Sequence, residues 1–113
     1  MPTEPAPSVA TPEPEHDDRL DEARAELALV KRIHLAMRNG NTAGALALCT
    51  EHERRWPHGT FALEREGVRA IASCESGSSE AGSRARAFLA KYPHATLAPR
   101  VTAACASALP QKS

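Results

Sequence analysis

The chain has 113 residues, enough for one folded domain and too few for two. Alanine occurs 22 times and the aromatics are limited to Trp56, Phe61, Phe88 and Tyr92, a composition that favours thin, closely packed helices over sheets. Formal net charge is zero, yet residues 1–18 hold five acids and no Lys or Arg. The basic excess of the remainder is interleaved with Glu51, Glu53, Glu64 and Glu66, which excludes the clustered phosphate-neutralising surface that nucleic acid requires.

The first twenty residues show neither a basic nor an apolar leader segment, and no window approaches the roughly 18 apolar residues of a membrane span. As written, the chain is expected to be cytoplasmic and not membrane-inserted. If Met1 is not the true start, the same Pro-Glu stretch would suit a linker after a membrane anchor, placing the domain in the periplasm or at the envelope.

Residues 1–18 contain Pro2, Pro5, Pro7, Pro12 and Pro14 among acids and small residues, which predicts a disordered acidic Pro-rich tail. A helix is expected at 19–38, where Leu29, Val30, Ile33, Ala36 and Met37 mark one face and Gly40 ends the run in a left-handed conformation. Thr42 is read as the cap of a second helix, carrying Ala45, Leu48, Cys49 and His52 until Pro57 stops it. Thr60 opens a third, with Phe61, Val68, Ile71 and Ala72 inward and Gly77 at its end. Ser78 or Ser79 opens a fourth, with Ala81, Ala85, Phe88 and Leu89, which stops at Pro93. Thr96 opens a last one, where Pro99 fits the first turn. The expected all-α domain is 19–107, followed by a flexible end at 108–113.

Trp56-Pro57-His58-Gly59-Thr60-Phe61-Ala62 aligns with Tyr92-Pro93-His94-Ala95-Thr96-Leu97-Ala98. Pro, His, Thr and Ala are identical, Trp lies on Tyr, and Phe on Leu. A 36-residue offset signals a stack of helix pairs, each burying its apolar face against its neighbours. Gly40, Ala45 and Pro57, with Ala81 and Pro93 in the next unit, resemble the second-helix pattern of the tetratricopeptide family. The wording around Trp56-Pro57 and Tyr92-Pro93 is also similar to a bacterial helical-repeat domain found behind membrane anchors in envelope or regulatory proteins.

The resemblance implies two helix pairs plus a capping helix and a non-catalytic protein-interaction or scaffold role. It also implies that first helices line a concave face, so Arg24, Lys31, Arg38, Arg65, Arg69 and Arg100 would form a basic groove for an acidic peptide or protein. The alternative for these cations is an ordinary solvated face. In such a stack Cys74 and Cys105 lie side by side and would pair if the domain is exported. Two helix pairs are also fewer than the roughly three repeats such arrays need, so a homodimer is a further expectation.

Cys49, Cys74 and Cys105 contain no C-x-x-C pair, and no third ligand joins Cys49 and His52, so nothing asks for a metal or a cofactor. A Cys49–His52 catalyst is the reading from a different class. The bland reading is a buried thiol beside a packed histidine bonded to a backbone group or carboxylate.

Overall fold

The computed structural model describes residues 14–109. They form α1 (Pro14–Arg38), α2 (Thr42–Arg55), α3 (Ala62–Ser76), α4 (Ala81–Lys91) and α5 (Ala98–Ala104), with no strand among the described residues. The chain is therefore all-α, as its alanine content and periodicity predict. The predicted tail of 1–18 lies outside the described residues through residue 13, but helix begins at Pro14 rather than at 19. Proline is tolerated there because the first helical N–H has no intrahelical partner.

Helices follow the chain in order: α2 packs on α1 and α3, and α3 packs on α4 and α5. One cluster joins Ile33 of α1, Cys49 of α2 and Val68 of α3, and another joins Ala36, Ala45 and Ala72. Alanines from three helices meet there, so the axes can approach closely. The second half of the core is larger and includes Ala70, Ile71, Ala85, Phe88, Val101 and Cys105.

Two turns end in the same left-handed glycine. Gly40 (φ 73°) donates to Met37 O and Asn41 to Ala36 O; Gly77 (φ 75°) donates to Cys74 O and Ser78 to Ser73 O. Both are Schellman closures, in which the glycine avoids the Cβ penalty of positive φ. The caps at the other ends differ from the sequence reading. Asn41, not Thr42, caps α2 by accepting from Gly44 N at 2.9 Å. α3 follows Phe61 and α5 follows Leu97, neither with a capping side chain.

Cys74 and Cys105 are joined by a disulfide, tying α3 to the end of α5. Beyond it Leu109 packs against the core, and a Cβ at Gly82 would lie 2.7 Å from Ala108 O. The first part of the segment expected to be flexible, 108–109, thus lies against α4, and 110–113 fall outside the described residues.

A Cβ on Gly67 of α3 would lie 2.8 Å from Leu97 Cδ1 and 3.1 Å from Phe88 Cζ. Gly67→Ala is therefore expected to lower stability by about 1–3 kcal/mol through overpacking, read as a reduced urea midpoint with an unchanged slope.

Candidate functional site

The two aligned segments fold into the same corner. Trp56 N donates to His52 O and Tyr92 N to Phe88 O; Gly59 N to Trp56 O and Ala95 N to Tyr92 O; Ala62 N to Gly59 O and Ala98 N to Ala95 O; Arg65 N to Phe61 O and Val101 N to Leu97 O. Each of these four backbone hydrogen bonds of the first corner recurs in the second at the same offset of 36 residues. Even the rings correspond. His52 and Trp56 are 5.5 Å apart and tilted by 45°, Phe88 and Tyr92 5.4 Å and 48°, and the preceding cation, Arg55 or Lys91, lies over the Trp or Tyr face.

What fills the corners differs. Phe88 and Val101 are apolar and buried in the second, whereas His52 and Arg65 occupy the equivalent places in the first and are equally buried. Burying such groups is costly unless every polar atom finds a partner. Glu26 of α1 completes the set. Its carboxylate accepts from His52 Nε2 at 3.0 Å, Phe61 N at 3.0 Å and Thr60 N at 3.3 Å. Arg65 Nη1 donates to His52 Nδ1 at 3.1 Å and to Trp56 O at 3.2 Å, and its Nε donates to Glu66 at 2.8 Å.

Because a guanidinium only donates, Nδ1 of His52 must accept, which leaves the proton on Nε2, aimed at Glu26. A carboxylate from a different helix thus holds the turn that leads into α3 by the Thr60 and Phe61 N–H groups. Trp56 Nε1 donates to Glu22 Oε1 at 2.9 Å, so α1 grips this turn at two successive levels.

Arg69 continues the network on the same face of α3. Its Nη2 donates to Cys49 O at 3.1 Å and pairs with Glu53 at 2.9 Å, and its Nη1 lies 3.8 Å from Glu66. The hydrogen bond and charge of Arg69 hold the Glu53 carboxyl below its ordinary range.

The six cations expected on one basic face are consequently divided. Arg65 and Arg69 are interior and engaged. Arg24, Lys31 and Arg38 are exposed along α1, on the side away from Glu26, Leu29 and Ile33, and Arg100 is exposed on α5. A shared groove would need all six at one solvated surface, and burial of the two α3 arginines removes the centre of it.

The Cys49–His52 pair also has a structural position. Cys49 is fully buried, and burial pushes its thiol up to about 11, so at neutral pH it is not the thiolate that nucleophilic chemistry uses. Both His52 nitrogens are engaged by Glu26 and Arg65. Iodoacetamide at pH 8 is expected to leave the native chain unmodified and to add one label only after unfolding without reductant, counted by intact mass. The raised folded value also sets a sign: this thiol's contribution to stability is complete below the ordinary value of 9.0 and is lost as pH rises through about 11.

An open groove of about 940 Å³ lies beside the first corner. Glu53, His58 and Gly59 line it from the α2 side, Ala62, Arg65 and Glu66 from α3, and Arg84, Lys91 and Tyr92 from the α4 side. Arg65 thus spans from the buried histidine to the edge of the groove, so the polar corner fixes one wall. The basic face expected from the sequence lies on the first helices, and this groove was not anticipated. The signal was the pair of aligned corners, which set α2 and α4 in equivalent positions on either side of α3.

No family model, curated protein or solved structure matches this chain.

Proposed function

We propose that the chain is a non-catalytic interaction module, a short helical-repeat array of tetratricopeptide type that receives a peptide segment of another protein in the groove between α2 and α4. The observation that carries this reading is the corner built twice, with the same four backbone hydrogen bonds, at a spacing of 36 residues. Stacked repeats present extended surfaces that bind partners, and here the groove lies along the second helices, α2 and α4, rather than along the first helices that the resemblance points to. The lining balances Glu53, Glu66 and Glu80 against Arg65, Arg84 and Lys91. An acidic ligand is therefore not specifically favoured here, and a segment of mixed charge with an apolar residue for Phe88 and Tyr92 fits better.

The disulfide between Cys74 and Cys105 favours a second, compatible reading, in which the module works in an oxidising compartment as part of an envelope or regulatory protein.

The test is selection of a displayed random-peptide library on the full chain, followed by nuclear magnetic resonance mapping of a selected peptide. Shifts at His58, Arg84 and Tyr92, with binding weakened about tenfold or more by Tyr92→Ala, are expected. Failure to select peptides, or shifts confined to other surfaces, would reject the groove as the binding site.

A further inference from the structure

The apolar wall of the groove takes part of its packing from α5, although no residue of α5 lines it. Phe88 and Tyr92 form that wall, and both pack in the half of the core that contains Val101 and Cys105. Leu97, the residue before α5, shares a notch with the Phe88 ring: a Cβ on Gly67 would lie 2.8 Å from Leu97 Cδ1 and 3.1 Å from Phe88 Cζ. α5 has 7 residues, too few to persist alone, and its one cross-link to the body runs from Cys105 to Cys74 of α3.

The two sulfurs differ in access. Cys105 is fully buried, whereas Cys74, in the last turn of α3, is half-buried. A dithiol reductant therefore reaches the bond at Cys74. Its thiolate attacks Cys74 Sγ, the Cys74–Cys105 bond breaks, and Cys105 leaves as a thiolate that takes up a proton. The second thiolate of the reductant then displaces Cys74, which takes the other proton, and the reductant closes to its own disulfide, so two electrons pass to the chain. Cys49 does not compete in this exchange, because it is fully buried and burial pushes its thiol up to about 11.

The first corner does not draw on this bond. Its polar set is Glu26, His52 and Arg65, and the buried residues of the clusters around Ile33 and Ala45 come from α1, α2 and α3. Units of a stacked array open separately when their own contacts are lost. We propose that the Cys74–Cys105 bond is a redox gate on the groove, an inference that rests on the groove being the binding site. In the oxidised chain α5 pins Phe88 and Tyr92 in the binding shape; in the reduced chain α5 detaches and the apolar wall loses its form, while the first corner stays folded.

The chain has one Trp and one Tyr, Trp56 in the first corner and Tyr92 in the second, so each corner carries its own reporter. The test follows the Trp56 indole N–H and Tyr92 ring resonances of the full chain before and after dithiothreitol, with a cysteine-free peptide selected on the oxidised chain titrated into both forms. Reduction is expected to shift or broaden the Tyr92 ring and leave the Trp56 indole unchanged. Peptide affinity should fall about fivefold or more, because apparent affinity scales with the fraction of chains in the competent state. Cys74→Ser with Cys105→Ser should bind as the reduced chain does, with or without dithiothreitol. An unmoved Tyr92 ring, equal affinity in both forms, or loss of the Trp56 signal together with that of Tyr92 would overturn the gate and leave the groove reading intact. Failure to select any peptide would reject the groove reading and the gate with it.

Discussion

Glu26→Ala is expected to lower the free energy of unfolding by about 3–5 kcal/mol, the usual cost of breaking a buried charged network at one member. The substitution leaves His52 Nε2, Thr60 N and Phe61 N without their common acceptor and leaves Arg65 facing a ring that no longer has a carboxylate behind it. Loss on this scale lowers Tm by well over about 10 °C in a domain of this size. Guanidinium denaturation followed by circular dichroism measures it. A change below about 1 kcal/mol would mean that water replaces the carboxylate without penalty and that Glu26 adds little to what holds α1 in place.

Opening the disulfide should cost nearly as much. Cys74 and Cys105 are 31 residues apart, and closing a loop of that length is worth about 3–4 kcal/mol on the chain-entropy account. The effect should be local as well as global. α5 has 7 residues, too few to persist on propensity alone, and it is held by Val101, Cys105 and Leu109. Dithiothreitol is expected to lower the melting temperature of the wild-type chain and to raise amide exchange across 98–109, while leaving Cys74→Ser with Cys105→Ser unaffected. Identical melts with and without reductant would show that packing alone secures α5.

Much of the architecture is legible in the residues because it is set by local chemistry. Gly40 and Gly77 stop helices by accepting positive φ, and Pro57 and Pro93 follow helix ends they cannot continue. The 36-residue alignment is equally local, since both corners are closed by bonds between residues three or four apart. Helix starts were less legible, because the turn into α3 is held by Glu26 from more than thirty residues upstream, which no short-range rule detects. The cations show the same division. A sequence displays the charge of Arg65 and Arg69 but not their burial, so a seven-residue rhythm on α1 and arginines on α3 looked alike. The repeat itself held the missing signal: it aligns Arg65 with Val101 and Arg69 with Cys105, both core residues.

That alignment makes the account open to a direct measurement. If the corners are one backbone solution with exchangeable fillings, the polar set can be replaced by its apolar counterpart. Glu26 corresponds to Ala62, His52 to Phe88 and Arg65 to Val101, and replacing buried ion networks by apolar residues is often neutral or stabilising. The measurement is the guanidinium unfolding free energy of Glu26→Ala, His52→Phe, Arg65→Val combined, beside each single variant. The account predicts that the triple variant regains most of what Glu26→Ala loses and ends within about 1–2 kcal/mol of wild type. A triple variant as unstable as the sum of its parts would contradict it, showing that the first corner depends on its buried charges and that the two corners are equivalent in backbone only.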